Sequence, residues 1–314
     1  MLFLNRDDLS QLNITTQQAV DSLEALIKKQ GKGVWASPKT VLRPDHRYLM
    51  TTLSAANEPS LLAVKSLVLN QENTRLGLPA INALVTLLDS ETGLPQAVID
   101  GNWITSIRTA CASAVAAKRM ANSTSSVLAF IGCGVQARSH LDLYRDLFPL
   151  KEIRAFGRGT ENRDDLCHIA QNMGLRGIAC DDARAAVEGA DLVVTSIPMT
   201  TNVPPFIDCR WLKSGVFVSS TDMGLPLVPE TLDVFDRIII DDFDQEAAMP
   251  NPMAPMTLIQ GDINGLVAGT VEGRQSPEQS TMFLFRAVVL GDLALAALAY
   301  RIAVERDIGT NIPW

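Results

Sequence analysis

The sequence predicts an α/β protein in which a doubly wound parallel-sheet domain is joined to an α+β domain formed from the N- and C-terminal segments. Three observations carry this reading. From residue 124 onward, short apolar runs alternate with amphipathic stretches, the order that builds a parallel sheet covered by helices on both faces. Residues 34–100 instead hold strand-like runs separated by Pro, Gly and Asn, the pattern of antiparallel hairpins. Near the middle of the chain, the apolar run Val127-Leu-Ala-Phe-Ile131 leads directly into Gly132-Cys-Gly134-Val135-Gln136-Ala137, a strand passing through a glycine turn into a helix.

Taken in order, residues 8–30 place Leu9, Leu12, Ile14, Ala19, Leu23, Leu26 and Ile27 at helical spacing, with Asp7 or Asp8 available to cap the start. Strand character follows at residues 41–42, 48–53, 60–68, 83–89 and 95–100, and Thr86–Pro95, with Asp89 and Gly93 inside it, reads as strand, turn and strand. Residues 103–121 return to helical spacing. Strands are then expected at 126–131, 153–156, 191–197, 216–219 and 237–241, with helices at 135–147, 161–173 and 182–188. Residues 245–280, rich in Pro, Gly and Met, read as mostly irregular, and 281–305 as one long apolar helix. That helix is too apolar to stand alone and is expected to pack on the first domain. The domain division is therefore 1–122 with 281–314, and 123–280 for the doubly wound domain.

Composition narrows the function. With 314 residues, 47% of them hydrophobic and 20% charged, the chain can bury about two cores. Its net charge of −8 argues against nucleic acid or an anionic membrane as partner. Five scattered cysteines show no pairing logic, which fits a reducing compartment. His46, His140 and His168 have no second His or Cys at ligand spacing, so no metal site is expected. The first residues lack a basic segment, and the apolar stretch 287–299 is interrupted by Asp292 and too short to span a bilayer. A cytoplasmic protein without a membrane partner is expected.

The glycine turn carries the chemistry. Gly132 permits the tight turn, Gly134 lets the backbone approach a pyrophosphate, and the small Ala137 lets the helix lie close to the strand. Val135 and Gln136 open that helix, whose free N–H groups and positive dipole end favour phosphate. A dinucleotide cofactor bound by a Rossmann domain is the expectation. The second strand ends in Phe156-Gly-Arg158-Gly-Thr160, with Arg163 shortly after, and offers no carboxylate for a ribose 2′-hydroxyl. Arginine suits a 2′-phosphate, so NADP(H) is preferred and NAD(H) remains possible. Ser196 and Ile197, at the end of the fourth strand, fall where the nicotinamide should lie.

Four stretches, Asp100-Gly-Asn-Trp-Ile-Thr-Ser-Ile-Arg108-Thr-Ala-Cys-Ala-Ser, Ile131–Ala137, Ala190-Asp-Leu-Val-Val-Thr195-Ser and Val271-Glu-Gly-Arg-Gln-Ser, make the chain similar to the ornithine cyclodeaminase/µ-crystallin family over most of its length. The resemblance implies an NAD(P)H-dependent reductase of imino acids or an amino-acid dehydrogenase, working as a homodimer on a small-molecule substrate held by the domain of 1–122 and 281–314. It carries Arg43, Lys65 and Arg108 over as cationic substrate contacts, Thr109 as a pyrophosphate contact and Asp222 as an active-site aspartate. The residues support part of this directly. Arginine grips a carboxylate bidentately, and a lysine inside the apolar run Leu61–Val68 must either snorkel or serve a polar site, where burial would lower its pKa and suit it to proton donation. Met50 reads more simply as a core methionine. Two departures concern the substrate end. Met223-Gly-Leu-Pro226 lacks the lysine that the cyclodeaminases carry after the aspartate, and Phe283-Leu-Phe285-Arg-Ala287 replaces a Phe-x-Ser-x-Gly pattern. They favour reduction of a cyclic ketimine such as Δ1-pyrroline-2-carboxylate over the alternative, a lyase turning ornithine into proline and ammonia. A ligand-binding protein without catalysis is a third possibility.

Overall fold

The protein is described by a computed structural model covering residues 1–45, 47–198 and 203–313; His46 lies outside the described residues. The chain runs β1 (Leu2–Leu4), α1 (Arg6–Gln11), α2 (Thr16–Lys28), β2 (Val34–Ala36), β3 (Thr40–Leu42), β4 (Tyr48–Ala56), β5 (Leu61–Leu69), β6 (Ile81–Asp89), β7 (Pro95–Asp100) and α3 (Gly101–Met120). Next come β8 (Val127–Ile131), α4 (Val135–Leu147), β9 (Glu152–Phe156), α5 (Thr160–Asn172), β10 (Arg176–Ala179), α6 (Ala183–Val187), β11 (Leu192–Thr195) and β12 (Phe217–Ser220). The remainder is β13 (Arg237–Ile240), α7 (Phe243–Ala247), β14 (Ile259–Asp262), α8 (Ile263–Ala268), β15 (Thr281–Leu284), α9 (Leu290–Arg306) and β16 (Thr310–Asn311). Two compact units result, Met1–Cys111 with Val288–Trp314, and Ala112–Ala287.

The first unit is built on a mixed sheet in the order β16-β1-β7-β6-β5-β4-β2, with β3 also paired to β4. Its long strands alternate strictly. Met50, Thr52, Ser54 and Ala56 of β4 are buried with Leu61, Ala63, Lys65, Leu67 and Leu69 of β5, because successive side chains point to opposite faces. Helix α9 packs across β4, β5 and β6 and against α2, where Ser22 Oγ donates to Ala294 O at 2.9 Å. This burial, which encloses Leu293 to Ala296 on every side, explains an apolar composition that no amphipathic helix would have. The β6–β7 hairpin turns where expected: Gly93 takes the left-handed φ of 72°, and Asp89 Oδ1 accepts from Thr92 N at 2.7 Å.

The second unit is a parallel sheet in the order β10-β9-β8-β11-β12-β15-β13-β14. Successive strands are added outward in one direction from β8 to β10 and in the other from β11 to β12, so a crevice opens at the carboxyl ends of β8 and β11, the place where such sheets bind ligands. The central strands are buried along almost their whole length, with apolar runs in β8, β11 and β13 and two enclosed serines, Ser219 and Ser220, ending β12.

Several elements differ from the sequence reading. Residues 8–30 form two helices, capped by Asn5 and Thr15 in capping boxes; Asp8 serves as the N3 acceptor for Asn5 N at 3.0 Å. The stretch read as one helix from 281 to 305 starts as β15, because the short apolar run Met282–Phe285 carries no period that separates strand from helix. The supposedly irregular 245–280 contains β14 and α8. Strands β1, β10 and β16 are too short or too polar to show a pattern.

Candidate active site

In the second unit the site is made of backbone. Gly132 has φ 94°, and a Cβ added there would lie 2.6 Å from Ser196 O, so only glycine fits between β8 and the segment after β11. Its N–H donates to Phe156 O at 2.8 Å, which fixes the turn to the end of β9. Gly134 is the N-cap of α4, supplies no side-chain cap, and faces open space. The first N–H groups of α4 are therefore left for an anion. Ala137 is fully buried beneath the turn. Around this turn lies a cavity of about 250 Å³ lined by Gly132, Cys133, Gly134, Gly157, Arg158, Asn162, Ser196 and Ile197, among others. Burial pushes the Cys133 thiol up to about 12, so the cysteine in the turn is an inert filler. A narrow glycine cradle, an uncapped helix start and an exposed arginine at the end of β9 fit the phosphates of a dinucleotide.

Asp222 is turned into this unit. Its Oδ1 accepts from Thr195 Oγ1 and Ser220 Oγ, both at 2.6 Å, and its Oδ2 from Ile197 N at 2.8 Å. Burial raises its pKa against the opposing effect of these bonds. The carboxylate thus holds the backbone of Ile197 at the mouth of the crevice. Ser196 Oγ donates to Gly132 O at 3.3 Å, tying the same segment to the turn.

The first unit holds a cluster of its own, made of side chains. Lys65, opposite Thr52 on β4 and Val85 on β6, projects onto the buried face. Its Nζ donates to Asp292 Oδ1 at 2.6 Å, and both side chains are enclosed, at 0% and 2% exposure. Thr52 Oγ1 donates to the other oxygen of Asp292 at 2.8 Å, and Arg108 Nε from α3 lies 3.5 Å from Oδ1. Desolvation, with Arg108 as the second cause, pulls the Lys65 pKa down to about 8, while Asp292 opposes the fall. Two buried cations thus share one buried carboxylate.

The other residues singled out in the sequence lie as follows. Arg43 is exposed after β3, its guanidinium 4.9 Å from the centre of the Tyr48 ring. Thr109, on α3 in the first unit, donates its hydroxyl to Thr105 O at 3.0 Å. Val135 and Gln136 open α4, and Thr160 opens α5 beside Gly159. Arg163 is engaged by Asp164 and Asp181, at 2.9 and 3.2 Å. Met50 packs with Leu67 and Leu69 in the core. Asp292, Thr52 and Asn162 escaped the sequence reading. The signal for Asp292 was present: a lone carboxylate in a uniformly apolar helix needs a buried partner.

A family model for the ornithine cyclodeaminase/mu-crystallin family matches residues 2–307, and the chain belongs to that family. The mouse ketimine reductase mu-crystallin is 28% identical over 308 residues, which span 95% of this chain and 96% of that protein. The structure of Thermococcus litoralis Δ1-pyrroline-2-carboxylate reductase in complex with NADH and L-proline is similar with a TM-score of 0.90 and 26% identity, covering 99% of this chain and 100% of that one. An archaeal alanine dehydrogenase dimer with bound NAD also gives a TM-score of 0.90 and 26% identity, covering 100% of this chain and 99% of that one.

Proposed function

We propose that the protein is an NADPH-dependent reductase of α-imino acids, working on a cyclic ketimine such as Δ1-pyrroline-2-carboxylate and, in reverse, as an amino-acid dehydrogenase. The observation that carries this is the convergence of Lys65 and Arg108, from β5 and α3, on one enclosed site. A cation pair kept out of water is suited to gripping a small carboxylate. Reduced nicotinamide, when bound, supplies the hydride for the imine carbon. Arg108 holds the substrate carboxylate and fixes which face of the imine is presented. Lys65, its pKa lowered to about 8 by burial, delivers the proton that the imine nitrogen gains. Gly132, Gly134, Val135, Gln136 and Ala137 shape the pyrophosphate cradle, with Thr109 as a further contact, and Ser196 and Ile197 border the ring. Asp222 acts as a positioning residue through Ile197 N, and Arg43 serves at the rim.

Arg158 and Thr160 are assigned to the 2′-phosphate, because no carboxylate stands at the end of β9 to repel it. The outward face of the first unit's sheet exposes Trp35, Leu42, Leu53, Val68 and Leu84, an apolar surface suited to a second copy of the chain. A homodimer follows; elution at the mass of one chain in light scattering would refute it. Among the described residues no helix is long and apolar enough to cross a membrane. The five cysteines are free and buried, and we place the protein in the reducing cytoplasm.

Mixing the protein with Δ1-pyrroline-2-carboxylate and NADPH tests the reading: absorbance at the nicotinamide band should fall, with proline as product. Formation of proline and ammonia from ornithine without added reductant would overturn it in favour of the lyase.

A further inference from the structure

We propose that Asp292 is a positioning residue for this reaction, holding the Lys65 ammonium and the Arg108 guanidinium side by side so that both act on one substrate. The inference rests on the proposed function and adds a residue that neither the glycine turn nor the cationic pattern reveals.

Asp292 sits in the first turn of α9. Three elements converge on it. Thr52 of β4 and Lys65 of β5 stand opposite each other in the strand register and divide its two oxygens, at 2.8 and 2.6 Å. Arg108 of α3 approaches the oxygen that Lys65 uses, at 3.5 Å. The preceding residue is also adapted to this contact. A Cβ on Gly291 would lie 3.1 Å from Arg108 Cβ and 3.5 Å from its Cδ, so glycine leaves room for the arginine stem beside α9. The charged groups acting on Lys65 are Arg108 from α3, Lys39 from the segment before β3, and Asp292 from α9. Asp292 is the one anion among them. Without it, two buried cations would repel each other and separate, and the site would lose its spacing.

The experiment uses the full chain and five proteins: wild type, Asp292→Asn, Asp292→Glu, Thr52→Val and, for signal assignment, Lys65→Met. NADPH binding is followed by fluorescence, reduction of Δ1-pyrroline-2-carboxylate is followed across pH, and Lys65 is titrated by NMR of ε-13C lysine, its signal assigned by its absence in Lys65→Met. Asp292→Asn should bind NADPH as wild type does, lose at least about 100-fold in kcat/KM, and show both the alkaline limb and the Lys65 titration at lower pH, because the anion that favours the ammonium is gone. Thr52→Val keeps that charge and should lose less than about tenfold, with the titration unmoved. If Asp292→Asn does not fold, Asp292→Glu decides. It should keep the Lys65 titration near wild type while kcat/KM falls by about tenfold or more through misplacement. Wild-type kcat/KM in either Asp292 variant, or a Lys65 titration unchanged in Asp292→Asn, overturns the inference. If wild type reduces no α-imino acid, the proposed function fails on its own. The Lys65 titrations of wild type and Asp292→Asn then still decide whether Asp292 holds the lysine.

Discussion

The cradle around Gly132 and the cluster around Asp292 are constructed in opposite ways. The cradle presents backbone: a glycine that no Cβ can replace, an uncapped helix start, and an amide held by Asp222. The cluster presents three ionised side chains from β5, α3 and α9 and a hydroxyl from β4, drawn together against the cost of burying the charges. A backbone site depends on the path of the chain and tolerates most changes that leave the path alone. A buried charge cluster depends on its sum, so losing one member leaves the others uncompensated. The two regions should therefore fail differently.

The largest effects come from striking each region at its defining atom. Lys65→Met removes the ammonium and should reduce kcat/KM for the imino acid by about 10³-fold, with NADPH affinity at its wild-type value in a fluorescence titration. Gly132→Val should do the reverse. Its Cβ would start 2.6 Å from Ser196 O at a φ of 94°, and we expect NADPH binding to be lost together with about 2–4 kcal/mol of stability in denaturant unfolding. Loss of cofactor binding in Lys65→Met, or its survival in Gly132→Val, would show that the two regions are not separable in this way.

How far each region could be read from sequence follows from the same contrast. Gly132, Gly134 and Ala137 are neighbours in the chain, and their role depends on local geometry, so the turn and the strand and helix beside it were legible. Lys65 was legible because an ammonium in an apolar strand contradicts its surroundings. Asp292 gave the same contradiction, yet its partners lie 240, 227 and 184 positions away in the chain (Thr52, Lys65 and Arg108), and no local pattern names them. Asp222 shows the converse: its motif was visible, but its engagement by Thr195, Ser220 and Ile197 N depends on two strands meeting. Strand β15 was misread because burial on both faces erases the alternation that marks a strand.

An intermediate effect separates the regions by pH. Lys65 titrates at about 8 in the folded chain against 10.5 when free. The reduction should lose rate as pH rises through about 8, since the proton donor is then neutral, whereas NADPH affinity should not follow that titration. The stability linkage has the opposite sign. Between about 8 and 10.5 the unfolded chain keeps a proton that the folded lysine has released, so this group's contribution to stability grows as pH rises. The stability difference between wild type and Lys65→Met, measured in denaturant at pH 7 and pH 10, should therefore move in favour of wild type. A difference that moves against wild type would show that Lys65 is not depressed by burial.

The smallest effect belongs to Arg158, which stands in the backbone-built region but would act by charge. Being exposed, its guanidinium meets a 2′-phosphate in water, where screening removes most of the Coulomb attraction that the buried cluster enjoys. Arg158→Ser should therefore weaken NADPH binding by only about tenfold and leave NADH binding unchanged, and the ratio of the two affinities should narrow further as salt is raised. Equal weakening of both cofactors would mean that Arg158 stacks on the adenine and reads no phosphate. The preference between the two nucleotides would then fall to Thr160 and to Asn162, the α5 side chain that borders the same cavity.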